Sequence, residues 1–358
     1  MNIFSKELLY KKNNRSGPKA YLLLRNNVID VYDLGFTEPI NISTTKGTSD
    51  DSIYCNYVIL NGKLFYYDGE SLSQVGSLET YSAVSGYYYY KSKTDYCDPL
   101  FLHSGNNPYL LTISSHNPLS TIRYSIGTSS TVSISSISGY ISNNCDPIYI
   151  RATTQKIYSG YNVFTTNSTW KKISGSFSED NKFNAYGITS DGVLGRTYYS
   201  ASSSPPHVMN KVSSDISGWT AVCGYYSKFD SSDIIYGYGI ATKMLYYLSP
   251  SASKIGTLKT WTKISGKTNS LSTIFGYGIA GGSLYSLCKN TATKIDSETT
   301  WMLISGFSKN GTDYAYGSKN GNLYSLNGTT ITDLQISNCI AIYGTSTANY
   351  PALAVCSE

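Results

Sequence analysis

Apolar and polar residues alternate over short stretches of this chain, and in its second half the same pattern returns at a fixed distance. Three segments are nearly alike: Tyr236–Leu248 (YGYGIATKMLYYL), Phe275–Leu287 (FGYGIAGGSLYSL) and Tyr314–Leu326 (YAYGSKNGNLYSL). Equivalent tyrosines in these segments are 39 residues apart. Each segment predicts a β-hairpin, because dipeptides such as Asn-Gly and Gly-Gly between alternating apolar runs are the strongest short hairpin signal.

A second pattern, W-x-x-[IV]-x-G, has the same period and includes all four tryptophans. Its Trp and Gly residues are Trp170 and Gly175, Trp219 and Gly224, Trp261 and Gly266, and Trp301 and Gly306. Without the Trp, the pattern extends to glycines 86, 139 and 344, with a mean spacing of 43 residues. A further short strand, for example Thr293–Ile295, precedes each new copy. Four short antiparallel strands in each repeat of this length are typical of the blade of a β-propeller.

The whole chain is therefore expected to be all-β, a single closed propeller of seven or eight four-stranded blades. Strands near the two ends, in Tyr21–Leu24, Val28–Tyr32 and Tyr350–Cys356, are incomplete alone. We expect them to share the closing blade, because closure removes two exposed strand edges.

The predicted propeller spans residues 19–358, with the clearest repeats in 165–345. Residues 1–18 are rich in lysine and arginine. They are interpreted as a basic leader that docks on another subunit or, alternatively, as a frayed terminus.

The repeat W-x-x-I-x-G, then [YF]-x-Y-G-I, then G-x-L-Y resembles tectonin-type propeller repeats and, more loosely, RCC1-like repeats. This resemblance implies a binding protein: tectonin-like proteins are often lectins for surface glycans, and related propellers occur in tail and adhesion proteins of phages of low-GC bacteria.

Composition and charge narrow the functional classes. Charged residues are 14% of the chain and the net charge is +5, with lysines and arginines scattered rather than clustered. Nucleic acid is therefore not an expected partner. No run of about 18 apolar residues occurs, so membrane insertion is not expected. Tyrosine is the unusual residue, with 35 copies.

Cysteine usage favours assembly in a reducing cytoplasm. The seven cysteines are widely spaced, without a C-x-x-C pair: Cys55, Cys97, Cys145, Cys223, Cys288, Cys339 and Cys356. This spacing predicts neither a disulfide framework nor a zinc site, and most of these residues are interpreted as small buried hydrophobes.

No catalytic residue, metal or cofactor is predicted. The three histidines (His103, His116 and His207) are irregularly spaced and have no neighbouring carboxylate. Paired carboxylates lie in stretches that are typical of solvated loops: Asp50 and Asp51, Glu179 and Asp180, and Asp230 and Asp233. No phosphate-binding G-x-x-x-x-G-K-[ST] motif occurs.

Aromatic residues are the best candidates for binding. The four tryptophans are interpreted mainly as packing between blades, with a sugar-stacking platform as the alternative. The tyrosines Tyr88, Tyr90, Tyr198 and Tyr199 lie in less regular segments and are predicted to contact a ligand or a neighbouring subunit.

These observations together predict a non-enzymatic structural or adhesion protein. The most concrete form is a component of a phage tail or tail fibre that is made in the host cytoplasm and binds a host-surface glycan or a neighbouring virion protein. The alternatives are a cytoplasmic protein-interaction propeller and, third, a glycan hydrolase.

Simultaneous replacement of Tyr88, Tyr90, Tyr198 and Tyr199 by alanine tests the predicted interface. We expect weaker attachment or incorporation with an unchanged fold, because these aromatic side chains supply contact area at low entropic cost. Attachment assays and particle composition measure the effect, with circular dichroism as the control for folding. A folded variant that attaches and assembles normally would contradict the assignment.

Overall fold

All regular elements in the described part of the protein are β-strands, 35 in number. The computed structural model describes residues 17–33, 42–44, 57–60, 62–67, 72–76, 81–85, 89–92, 95–97, 100–103, 110–113, 121–124, 134–138, 148–151, 154–159, 162–163, 169–177, 183–199, 207–212, 215–226, 235–249, 251–266, 274–309, 311–346 and 351–357.

The first half of the chain contains three sheets and part of a fourth. The two earliest strands, which belong to sheet 8 below, are β1 (Lys19–Leu24) and β2 (Asn27–Asp33). Sheet 1 consists of β3 (Ile42–Thr44), β4 (Tyr57–Leu60), β5 (Lys63–Tyr67) and β6 (Leu72–Val75). Sheet 2 and the hairpin inserted in it consist of β7 (Tyr81–Ser85), the hairpin strands β8 (Tyr89–Ser92) and β9 (Asp95–Cys97), then β10 (Leu100–His103), β11 (Leu110–Ile113) and β12 (Thr121–Tyr124). Sheet 3 consists of β13 (Ile134–Ser138), β14 (Ile148–Arg151), β15 (Ile157–Ser159) and β16 (Asn162–Val163).

The second half contains the regular copies of the repeat. Sheet 4 consists of β17 (Trp170–Phe177), β18 (Phe183–Thr189), β19 (Leu194–Tyr199) and β20 (His207–Lys211). Sheet 5 consists of β21 (Trp219–Tyr226), β22 (Ile235–Ala241), β23 (Met244–Ser249) and β24 (Ser251–Lys254). Sheet 6 consists of β25 (Trp261–Ser265), β26 (Ile274–Ala280), β27 (Ser283–Cys288) and β28 (Thr291–Asp296). Sheet 7 consists of β29 (Trp301–Ser305), β31 (Ala315–Lys319), β32 (Asn322–Asn327) and β33 (Thr330–Asp333), while β30 (Ser308–Lys309) pairs with β26. Sheet 8 consists of β34 (Cys339–Tyr343), β35 (Ala352–Cys356), β1 and β2, in that order.

Every sheet is antiparallel, and the strands of sheets 1 to 7 follow one another in chain order, except that β30 pairs with β26 of the preceding sheet; in sheet 8, β35 pairs with β1. Four-stranded antiparallel sheets of this kind are the building unit of a β-propeller. The hairpins predicted at Gly281-Gly282 and Asn320-Gly321 are confirmed, as is the sheet shared by the first and last strands. Both central residues of these two turns have positive φ, the type I′ geometry that matches strand twist.

Consecutive sheets pack face to face, which explains why their middle strands are apolar on both sides. In β26, every residue from Gly276 to Ala280 is buried. Tyr277 and Ile279 on this strand form one cluster with Trp301 and Leu326 of sheet 7. Burial of one large apolar side chain is worth roughly 1.5–3 kcal/mol, so these clusters are the main source of stability. Strand four of sheets 5 to 7 is more exposed, as in β28.

A backbone hydrogen bond joins most consecutive sheets at equivalent places. The first residue of a sheet donates its N–H to the carbonyl of a turn residue between the second and third strands of the preceding sheet. These bonds run from Tyr81 to Gly62 (2.8 Å), Trp170 to Gln155 (2.6 Å), Trp219 to Gly192 (2.9 Å), Trp261 to Lys243 (3.1 Å), Trp301 to Gly282 (2.9 Å) and Cys339 to Gly321 (2.7 Å). All six acceptor residues have positive φ. The left-handed turn conformation therefore presents its carbonyl to the next sheet.

Gly282→Ala tests this junction. The residue has a φ of +79°, and a Cβ there would overlap the carbonyl of Thr299. Gly256 has a φ of +62° with nothing within 4 Å of an added Cβ, so Gly256→Ala is a matched control for the backbone conformation alone. We expect the control to lose about 1 kcal/mol and Gly282→Ala roughly 3 kcal/mol of unfolding free energy in urea denaturation. Equal losses would show that the junction is not tightly packed.

Candidate functional site

The tryptophan that begins each of sheets 5, 6 and 7 packs against a glycine of the second strand. A Cβ on Gly278 would come within 2.6 Å of Cζ3 of Trp261, and one on Gly317 within 2.7 Å of Cζ3 of Trp301. A residue larger than glycine at these positions would force the indole to shift. The indole ring thus packs against the repeated glycine of the Y-x-Y-G-I segment.

In sheets 5, 6 and 7 a tyrosine of the third strand packs against the indole with its ring tilted. Tyr285 lies opposite Gly278 in the register, and its ring centroid is 4.9 Å from that of Trp261. The equivalent pairs are Trp219 with Tyr246 (5.1 Å) and Trp301 with Tyr324 (5.4 Å). The four tryptophans, including Trp170, are only 3–5% exposed. Residues of the preceding sheets also pack against Trp219, Trp261 and Trp301, so these rings are not open to a sugar.

The glycines that end the W-x-x-[IV]-x-G pattern lie where neighbouring sheets approach closely. Gly266 has a φ of +98°, and a Cβ there would come within 2.6 Å of the Cα of Gly276 in its own sheet and within 3.2 Å of the Gly306 carbonyl oxygen, which follows the first strand of the next sheet. Gly306, with a φ of +83°, accepts a hydrogen bond from the hydroxyl of Ser265 in the preceding sheet (3.0 Å). Gly175 and Gly224 lie within β17 and β21, paired with β18 and β22.

A β-bulge follows the first residue of the first strand in sheets 4 to 8. The register passes directly from the first to the third residue, as from Trp301 to Leu303 against β31. The second residues, which we call the bulge row, are all exposed: Lys171, Thr220, Thr262, Met302 and Ile340. Because the first strands of consecutive sheets contact one another, these side chains occupy equivalent positions on neighbouring strands. Bulges commonly re-aim a side chain in this way.

The bulge row is cationic at one end and apolar at the other. Lys172 and Lys263, one residue further along their strands, are exposed beside it, and the Lys172 ammonium donates to the carbonyl of Thr220 in the next sheet (3.3 Å). At the other end, Met302 is 62% exposed and Ile340 is 41% exposed. Within the described residues, Met302 is the most exposed large apolar side chain. Sequence reasoning missed this row, although the residue after each Trp is where otherwise similar copies differ.

A charged cluster lies beside the tryptophan of sheet 7. The Lys319 ammonium lies 3.2 Å from carboxylate oxygens of both Asp296 and Glu298 and 5.6 Å from the centroid of the Trp301 ring. The indole N–H of Trp301 donates to the Asp296 carboxylate (2.9 Å). Burial opposes ionisation of Asp296, but hydrogen bonds from the Glu298 N–H, Trp301 and Lys319 and the Lys319 charge hold its pKa below the ordinary value.

The predicted tyrosine site is only partly within the described residues. Tyr88 lies outside them. Tyr90 lies in β8 opposite Tyr96, in the hairpin inserted between β7 and β10. Tyr198 and Tyr199 lie in β19, paired with β20, so the expectation that they belong to an irregular insertion is corrected. Their interface role stays a prediction.

Neither a metal centre nor a membrane span is evident in the part of the chain that the structure describes. Over those ranges, no three side chains of His, Cys, Asp or Glu group closely enough to hold a metal ion. No helix found there is long and apolar enough to cross a bilayer.

Asp296→Asn tests the charged cluster through its pH dependence. Because the folded-state pKa of Asp296 is lowered, the carboxylate contributes its full stabilisation above its unfolded pKa of about 4 and loses it as the pH falls through the folded value. We expect the variant to be less stable than wild type by about 1 kcal/mol at pH 7, with the gap narrowing towards pH 2. Urea denaturation across this range measures it, and Glu298→Gln, at a side chain 56% exposed, is the control with a smaller effect. A gap independent of pH would contradict the assignment.

Comparison with known proteins adds no family. No protein-family model matches the chain, and no curated protein is significantly similar to it in sequence. Solved structures with similar folds include apo AztD from Citrobacter koseri, at 8% identity, covering 96% of this chain and 99% of that one, with a TM-score of 0.49. Another is a catalytically inactive virginiamycin B lyase from Staphylococcus aureus with quinupristin, at 10% identity, 95% and 100% coverage and a TM-score of 0.45. A third is the β-propeller domain of Myceliophteria thermophila Cps50 (Swd1), at 10% identity, 86% and 85% coverage and a TM-score of 0.44. At these identities and scores the likeness says nothing about function.

Proposed function

We propose that the eight sheets close into one ring, an eight-bladed β-propeller. The support is that the first strand of each sheet contacts the first strand of the next, including β34 of sheet 8 and β3 of sheet 1. Leu22 and Leu353 of sheet 8 also share a buried cluster with Val58 and Leu60 of sheet 1. In such a ring the first strands surround the centre, and the bulge row lies on the rim of the central opening.

The proposed function is non-enzymatic binding of another protein through the bulge row. The observation that carries it is the exposure of Met302 and Ile340 at equivalent positions of contacting strands. Adjacent exposed apolar side chains with a polar border are typical of protein interfaces, and methionine is enriched in them. The lysines at the other end of the row favour a partner segment that places acidic residues beside an apolar anchor.

A protein partner fits this surface better than a glycan does. Sugar recognition uses exposed aromatic faces, whereas the tryptophan rings of the repeat are buried and the bulge row contains no aromatic residue. Glycan binding is the second candidate, at a different place. The support for it is that Tyr90 and Tyr96 lie opposite each other in the β8–β9 hairpin. This hairpin is inserted into the repeated scaffold, and such insertions often contain binding residues.

The setting we propose is a larger assembly, most concretely the tail or tail fibre of a phage particle, with a neighbouring virion protein as the partner. Its support is the resemblance of the repeat to tectonin-like propellers. A cytoplasmic protein-interaction role is the alternative setting for the same surface.

The double variant Met302→Glu/Ile340→Glu tests the bulge row. Val28 and Ile29 of β2, at 37% and 40% exposure, are similarly exposed apolar residues elsewhere, so Val28→Glu/Ile29→Glu is the matched control.

A photo-crosslinking amino acid at position 302, compared with position 28, first identifies the partner in cells that make the assembly. We then expect the Met302/Ile340 variant to bind the purified partner about 30-fold or more weakly, since hot-spot residues contribute about 2 kcal/mol or more.

The control variant should bind like wild type, and binding by wild type should weaken with added salt because of the lysines. Equal affinities for the two double variants would overturn the proposal. Normal assembly with binding to a glycan array would favour the hairpin tyrosines instead.

A further inference from the structure

Two buried cysteines lie directly opposite each other in the sheet that joins the first and last strands. Cys339 begins β34 and Cys356 ends β35, and the register pairs them. Their exposures are 7% and 2%, and both are thiols in the structure.

Their pairing in the register is compatible with a disulfide. Directly opposed residues of antiparallel strands have Cα atoms about 4.5 or 5.5 Å apart, and a disulfide needs about 4.4–6.8 Å. Both side chains belong to one buried cluster with Ala352 and Ala354, which places them on the same face of sheet 8. A bond between the two sulfurs therefore needs no strand to move to another register.

We propose that Cys339 and Cys356 form a disulfide when the protein meets a low-molecular-weight disulfide such as oxidised glutathione. The bond ties β34 to β35, and β35 in turn pairs with β1. The one sheet assembled from both ends of the described chain thereby gains a covalent link. This inference does not depend on the proposed partner-binding function.

The chemistry is thiol–disulfide exchange. The thiolate of one cysteine attacks a sulfur of oxidised glutathione, forming a mixed disulfide and releasing one glutathione thiolate. The thiolate of the other cysteine then attacks the protein sulfur of that mixed disulfide and releases the second glutathione. Two protein thiols lose two electrons and two protons in total, and one glutathione disulfide becomes two thiols.

The reaction is expected to be slow in the fully folded protein. A hydrogen bond with the Cys339 thiol, together with burial, raises the pKa of the Cys356 thiol. Few molecules then carry the reactive thiolate at neutral pH. Exchange should proceed mainly during folding or when β34 and β35 separate locally.

The cysteines of the regular repeat provide an internal comparison. Cys223 lies in β21 of sheet 5 and Cys288 in β27 of sheet 6, and neither has a cysteine opposite it in the register. Both are half-buried rather than buried. They should react as separate thiols and form no bond to each other.

The test is to refold the full chain with reduced and oxidised glutathione and to digest it after blocking free thiols. We expect a cross-linked peptide pair containing Cys339 and Cys356, and no peptide pair that joins Cys223 to Cys288. The oxidised protein should melt about 5 °C or more above the protein kept in dithiothreitol. Peptide mapping of the wild type keeps the test valid even if a variant folds poorly.

Cys356→Ala and the control Cys288→Ala separate this bond from other effects of oxidation. The dithiothreitol-sensitive rise in melting temperature should disappear in Cys356→Ala and persist in Cys288→Ala. Both thiols of the wild type remaining free or singly glutathionylated after refolding would overturn the proposal, as would a rise that survives in Cys356→Ala.

Discussion

The regular sheets depend on one packing contact, that of a tryptophan indole ring against a glycine of the second strand, which has no Cβ. Because Trp261 occupies the space where a Cβ of Gly278 would lie, it reaches Tyr285 on the third strand, and one ring spans three strands. The same tryptophan pairs the first strand with the second. Its backbone N–H donates to the carbonyl of a turn residue in the preceding sheet. Packing within a sheet and attachment between sheets are therefore coupled through one side chain. This coupling explains why tryptophan and glycine recur together at one period.

The same geometry creates the exposed surface. Trp301 packs against Gly317 and its backbone N–H bonds to Gly282, and the first strand bulges at the next residue. The bulged residue lies outside the ladder and is exposed, so its side chain is less constrained by packing than its neighbours are. Sheets 4 to 8 use this freedom differently, with lysine, threonine, methionine or isoleucine at the position. A repeated framework thus supports a surface that is not repeated.

The sheets were predictable from the sequence to the extent that their signals are local. Gly281-Gly282 and Asn320-Gly321 permit positive φ at both turn positions, so the hairpins follow from the dipeptides alone. The point where a strand ends depends on residues further along the chain. Tyr198 and Tyr199 extend β19 because β20 pairs with them. The exposure of Met302 was not predictable, because in Trp301–Ser305 (WMLIS) it lies in an apolar run that is typical of a core strand. A bulge depends on the register against a partner strand, and the sequence of one strand does not contain that register.

The pairing of β1 with β35 has a kinetic consequence. The amide of Arg25, just after β1, bonds to the hydroxyl of Ser346, 321 residues away along the chain. Sheets 1 to 7 consist of hairpins that can form as each repeat is synthesised, whereas sheet 8 must wait for β34 and β35. Until then β1 and β2 form a lone hairpin with an unpaired edge, and a two-stranded hairpin is at best marginally stable in water. The slow step of folding should be the capture of this hairpin, and the same edge, offered to the last strands of a second molecule, would give a strand-exchanged dimer.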